Sequence, residues 1–198
     1  MELVLASSNR GKLAEIKAIC APWGIQVVTA ASLGFTEEVP ETGDTFEANV
    51  RLKAVAVSQA LGRPALADDS GLVVEALGGA PGVYSARYAG PGGGDAANSA
   101  TLLAEMQGVP PEKRAAAFVC VMLCRRPDGV ELVARGRLEG RIALAPAGHN
   151  GFGYDPVFWL PERELTVAQL SATEKNAISH RGQALGRLAQ GLKEFLGG

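Results

Sequence analysis

The stretch from Arg114 to Ile142, RAAAFVCVMLCRRPDGVELVARGRLEGRI, constrains the fold more than any other part of this chain. Two long alternating runs flank Pro127-Asp128-Gly129, a group of strong turn formers, and together they read as a long antiparallel hairpin. The chain opens in a different style, with short apolar runs separated by helical periodicity. ELVLAS (2–7) reads as a buried strand, SNRGKLAEIKAICAPWG as a helix, and IQVVTA as a second strand. Strand–helix–strand units join parallel strands, whereas a hairpin joins antiparallel ones. The expected class is therefore α/β, with a mixed central sheet, flanking helices and two lobes around a cleft, built as a single domain over residues 1–198.

The first helix carries Leu13, Ile16 and Ile19/Cys20 on one face, with Ser8 or Asn9 as cap and Pro22 and Gly24 beyond its end. A loop through TEEVPETGD leads to a second helix, TFEANVRLKAVAVSQALG, with Phe46, Val50, Ala54, Val57 and Leu61 on its apolar stripe. Asp44 and Glu47 have the spacing of a capping box, and Gly62 closes the helix. Two short strands, ALAD and LVVEAL, follow, then a glycine- and proline-rich loop from Gly78 to Gly94, of the kind that is functional or mobile. A helix over 95–107 precedes the hairpin. A glycine-rich turn, GHNGFGYDPVFWL, enters another strand. One long helix, capped by Ser171 with Glu174, closes the chain on a stripe of Ile178, Leu185, Leu188, Leu192 and Phe195.

Composition excludes several function classes. The 198 residues are 47% apolar and 20% charged, the proportions of a chain with a proper core. With 19 basic and 21 acidic residues and no basic block, bulk binding to nucleic acid or anionic membrane is disfavoured. No run of eighteen apolar residues suggests a membrane span, and ELVLAS lacks the features of a leader, so a cytoplasmic location is expected. Cys20, Cys120 and Cys124 sit among apolar neighbours and read as small buried hydrophobes; with only His149 and His180, zinc ligation is not expected.

Five stretches could carry chemistry. Ser7, Ser8, Asn9, Arg10, Gly11 and Lys12 lie between a strand and a helix, where free N–H groups and the helix dipole suit a phosphate; an ordinary capped helix start reads equally from the same residues. Glu41 lies in the loop before the second helix, and Asn49 and Lys53 are one turn apart on it. Asp68 and Asp69 are adjacent acids beside Ser70 and Gly71. Like charges there call for a cation, and a divalent ion held by one or two carboxylates plus substrate phosphates answers that need; an Asp-Asp-Ser-Gly turn is the plain alternative. Phe152, Gly153, Tyr154 and Asp155 place flat rings on a flexible backbone next to an acid, which suits a base but also suits loop packing. Lys175, Asn176, Ser179 and His180 crowd the polar face of the last helix, with Arg181 following.

In order along the chain, LASSNRGK, ETGDTFEANVRLKA, ADDSGLVVEALGGAPGVYSARYAG, GFGYDPVF and EKNAISHRGQAL resemble the inosine triphosphate pyrophosphatase family over nearly the full length. The resemblance implies hydrolysis of non-standard purine nucleoside triphosphates (ITP, dITP, XTP) to the monophosphate and pyrophosphate. It implies Asp69 as catalytic base and metal ligand, with Glu41 and Asp68 also facing Mg²⁺. Ser7 to Lys12, Lys53 and Ser70 would contact substrate, and Phe152 to Asp155, Lys175, His180 and Arg181 the nucleoside. A homodimer is implied as well. In many members an acid stands immediately before the Asn at position 49; here that residue is Ala48, and no role is assigned to an acid there. Two other activities stand beside this one: a nucleotide-sensing module without turnover, and a pyrophosphatase acting on modified pyrimidine nucleotides.

Overall fold

Glu2–Leu5 (β1) is followed by Arg10–Cys20 (α1), Gln26–Thr29 (β2), Phe46–Leu61 (α2) and Ala65–Val74 (β3). Gly94–Glu105 (α3) precedes the hairpin strands Ala115–Arg125 (β4) and Glu131–Ile142 (β5). The short strands Phe158–Leu160 (β6) and Leu165–Thr166 (β7) and the helices Ala172–Ile178 (α4) and His180–Gly197 (α5) complete the chain. A computed structural model describes residues 2–197. Seven strands form one open mixed sheet in the order β2-β1-β3-β4-β5-β6-β7. β1 pairs in parallel with β2 and β3, while β6 pairs antiparallel with β5 and with β7. The turn between β4 and β5 is closed by Arg126 N–H donating to the Val130 carbonyl at 2.9 Å, with Gly129 at φ 94° supplying the left-handed residue.

The chain packs as two compact units. The first comprises residues 1–69, 120–136 and 180–198, and the second 70–119 and 137–179. In the first unit, strand periodicity divides apolar residues between two layers. Leu3, Leu5 and Leu66 join Ile16 of α1 and Leu185, Leu188 and Leu192 of α5. Val4, Ala65 and Ala67 join Val50, Ala54 and Val57 of α2. The second unit has its own core, around Leu72, Leu102, Phe118, Tyr154 and Phe158. Among the described residues, no helix is long and apolar enough to cross a membrane. The three cysteines are buried and unbonded to one another, as their apolar surroundings suggest.

Three local expectations are corrected. ALAD and the LVV of LVVEAL are one strand, β3, which runs through Asp68, Asp69, Ser70 and Gly71 without a turn, while Glu75–Leu77 form a short 3-10 helix. The cap of α2 is Thr45, not Asp44. Thr45 is extended (φ −133°, ψ 154°), and its hydroxyl accepts from Ala48 N–H, while Glu47 pairs with Arg135. The closing helix breaks at Ser179, whose ψ of 153° separates α4 from α5. Its supposed single stripe serves two cores: Ile178 packs in the second unit and Leu185 to Phe195 in the first. Within the 78–94 loop several residues are hydrogen-bonded to neighbouring elements. Ser85 accepts from Leu72 N–H at 2.9 Å, and Asn98 accepts from Ala89 N–H and donates to the Ala86 carbonyl.

Candidate active site

Period two in β3 resolves the problem of two adjacent carboxylates by sending them to opposite faces. Asp68 shares the side of Leu66, against α1 and α5, and Asp69 shares the side of Ala65 and Ala67, against α2. Each face supplies cations. Lys12 of α1 places its Nζ 2.7 Å from Asp68 Oδ1, and Arg181 of α5 lies with Nε 3.4 Å from Asp68 Oδ2. The Cys120 thiol on β4 also reaches Oδ2, at 3.4 Å. Asp68 is 0% exposed and Arg181 1%, and the guanidinium bonds Glu15 of α1 as well. Burial alone would push the Asp68 carboxyl up, but Lys12, Arg181 and Lys53 together hold it far below the ordinary carboxylate range. Arg181 is raised above its usual value: burial opposes its charge, and Asp68 and Glu15 more than offset that.

On the other face, Lys53 of α2 bonds Glu41 Oε1 and the Asp68 carbonyl, each at 2.7 Å, and stands 3.7 Å from Asp69 Oδ1. One ammonium thus lies between two carboxylates brought from a loop and a strand. Burial disfavours the charge on Lys53, yet Asp69, Asp68 and Glu41 raise its pKa overall. Asp69, 5% exposed, behaves oppositely to its neighbour. Burial pushes its carboxyl up; Lys53 and Lys12 pull it down, Glu41 and Asp68 push it up again, and the balance is a raised pKa. An aspartate raised above its ordinary value, with two lysines acting on it, suits proton transfer.

Ser7 to Lys12 span the end of β1 and the start of α1. Asn9 caps the helix by accepting from Lys12 N–H at 3.0 Å, and Ser7 Oγ accepts from Asn9 N–H at 3.3 Å. Ser8, Asn9 and Arg10 are exposed at this helix N-terminus. The side chain of Asn9 thus serves the helix as its cap. His180 opens α5 and is buried. Gly136 of β5 backs directly onto this turn: a Cβ there would stand 1.9 Å from the His180 carbonyl oxygen.

In the second unit, Asp155 Oδ2 accepts from Phe152 N–H at 2.9 Å and from Lys175 Nζ. The Lys175 ammonium also sits 4.4 Å from the Phe152 ring centroid. Gly151, at φ 77°, makes this wrap possible, since a Cβ there would meet Asp155 Oδ2 at 2.0 Å. Tyr154 is buried and donates its hydroxyl to the Ser85 carbonyl at 2.8 Å. Ser70 follows Asp69 as the first residue of this unit and is half-buried. Sequence spacing missed Glu15, whose position three residues after Lys12 was its one visible signal, and Cys120, which nothing in the sequence linked to Asp68.

The model of the Ham1 family matches residues 3–191. The chain belongs to the Ham1 family. It is 50% identical to a protein named dITP/XTP pyrophosphatase from Geobacillus kaustophilus, across 100% of this chain and 97% of that relative. It is 52% identical to a protein of the same name from Nitratidesulfovibrio vulgaris, across 95% and 94%. A solved Ham1 protein from Coxiella burnetii superposes with a TM-score of 0.89 at 42% identity, covering 98% of this chain and 99% of the other. The Ham1 likeness thus spans both units and every stretch described above.

Proposed function

We propose that this chain hydrolyses non-standard purine nucleoside triphosphates, dITP and XTP among them, to the monophosphate and pyrophosphate. The shared name of its full-length relatives supports the substrate class. The observation that carries the chemistry is Lys53 held between Glu41 and Asp69, at 2.7 and 3.7 Å, beside a second lysine on Asp68. Among the described residues, no group of three His, Cys, Asp or Glu could hold a metal unaided. Two carboxylates completed by phosphate oxygens are, however, the donor set that Mg²⁺ takes, and the raised pKa of Asp69 marks a carboxylate in need of a cation. Glu41 and Asp69 fit that ion. Asp68 is better suited to holding Lys12 and Arg181, because its oxygens already face them in a fully buried position.

When bound, Mg²⁺ would neutralise phosphate charge and acidify a water. The chain does the rest. Asp69 accepts the proton of the water that attacks the α-phosphorus. Lys12 and Lys53 stand against the phosphate oxygens as charge grows in the transition state. Ser7 to Gly11 and Ser70 bind the triphosphate through hydroxyl and N–H donors. Phe152 stacks on the purine, with Gly153 and Tyr154 shaping the loop and Lys175 and Asp155 holding it. His180 donates toward the C6 oxygen, where adenine would present a donor instead, and Arg181 orients that turn through Glu15 and Asp68.

Pyrophosphate release, measured with Mg²⁺ on dITP, XTP, dATP, dGTP and modified pyrimidine nucleotides, tests this reading. Preference for dITP and XTP supports it; binding of dITP without turnover, or preference for a pyrimidine, overturns it. A homodimer in the cytoplasm belongs to the same reading. Sedimentation at twice the 20.5 kDa chain mass supports the dimer, and a mass of 20.5 kDa rejects it.

A further inference from the structure

Glu41 has no helix or strand of its own. From residue 35 to residue 45 the chain is irregular, yet it holds the Glu41 carboxylate 2.7 Å from the same Lys53 ammonium that stands 3.7 Å from Asp69. The ion pair with Lys53 cannot by itself hold this segment during turnover. A cation arriving at Glu41 and Asp69 competes with the Lys53 ammonium for the same oxygens, so that link weakens when the site is in use.

A second link avoids this conflict. Asn49, one turn before Lys53 on α2, is 0% exposed, and its Oδ1 accepts the Gly43 N–H at 2.8 Å. The contact is tight. A Cβ on Gly43 would lie 2.5 Å from Ala48 Cβ and 2.9 Å from Asn49 Oδ1, so only glycine allows this approach. The bond is neutral, it engages the backbone two residues beyond Glu41, and it is part-buried, with the Asn49 side shut off from water. Asn49 Nδ2 is also buried and makes no hydrogen bond among the described residues, so the amide's observed work is done by its oxygen. A buried asparagine with one orphaned donor is costly at a helix position that a leucine of similar shape would fill.

We infer that Asn49 is a positioning residue for the reaction: with Gly43 it clamps the 36–44 segment to α2, so that Glu41 can exchange the Lys53 ammonium for a metal ion without leaving the site. This rests on the proposed pyrophosphatase reading, and the two separate cleanly in experiment. Wild-type pyrophosphate release from dITP decides the reading. The clamp is decided by N49L, which removes the acceptor at constant shape, and by G43A, which lies outside the helix and breaks the same contact from the other side.

Two readouts are taken. In metal-free, nucleotide-free protein, amide exchange over residues 36–44 should quicken about tenfold in either variant. The Mn²⁺ concentration giving half-maximal pyrophosphate release should rise about tenfold or more, as for outer residues that orient metal ligands. The dITP KM at saturating Mn²⁺ should stay within about twofold. The double variant should resemble either single one, because both remove one contact. Should N49L fail to fold, G43A carries the same comparison. Unchanged loop exchange together with unchanged Mn²⁺ dependence overturns the inference, as does strict additivity of the two substitutions.

Discussion

Asp68 and Asp69 are chemically identical neighbours whose surroundings give them opposite thermodynamic signs. Asp68 titrates below its ordinary value in the fold, so on acidification the unfolded chain binds the proton first. Its contribution is complete above the unfolded value of about 3.9 and is lost as pH falls below it. Asp69 titrates above its ordinary value, so its charge weakens the metal-free fold, and stability returns as pH falls through its raised value. Urea midpoints of metal-free protein between neutral and acid pH should show both effects. Asp68→Asn, which leaves Lys12 without its buried counter-ion and Arg181 with Glu15 alone of the two acids it pairs with, should cost about 3–5 kcal/mol and flatten the loss below about pH 4. Asp69→Asn should raise the metal-free midpoint and abolish the gain on acidification. The same Asp69→Asn should slow pyrophosphate release by about 10²–10⁴-fold; retention of more than about a tenth of the rate would remove Asp69 from the base role.

Among elements, α5 shows how a backbone contact fixes the start of a helix. Its first residue, His180, is placed by the end of α4 at Ser179 and by β5, where Gly136 lets two backbones meet. Gly136→Ala must push β5 and the His180 turn apart, because the obstructing atoms are main chain and cannot rotate away. The expected cost is about 2 kcal/mol or more, with activity on dITP falling further than the melting temperature alone would explain. Circular dichroism melts beside kinetics at a temperature well below the transition would separate the two. The sequence signal for this break was weak. The apolar spacing from Ile178 to Phe195 fits a single helix, and period 3.6 cannot reveal that two separate cores share it. The hairpin, by contrast, was legible because Pro127-Asp128-Gly129 is a local signal and its strands need no distant partner to declare themselves.

Across the full chain, discrimination between bases should depend on His180, since a buried donor left without an acceptor penalises adenine more than a missing contact would. His180→Ala should lower the dITP-to-dATP ratio of kcat/KM by about tenfold or more, chiefly by improving relative use of dATP. An unchanged ratio would take the C6 contact away from this residue.

The α/β class, the mixed sheet and the Ser171 cap could be read from residue order, as could a cap at Ser8 or Asn9, which the structure gives to Asn9. Each rests on interactions within a few positions or on a repeating period. The separation of Asp68 from Asp69 was implicit in the period of a strand, yet it became visible only once ALAD and LVV were known to be continuous. Which lysine serves which carboxylate, the burial of Arg181 between Glu15 and Asp68, and the hold of Asn49 on Gly43 join residues 6 to 166 positions apart. Such pairings follow from how layers stack and how buried charges find partners, and no local pattern in the chain encodes that distance.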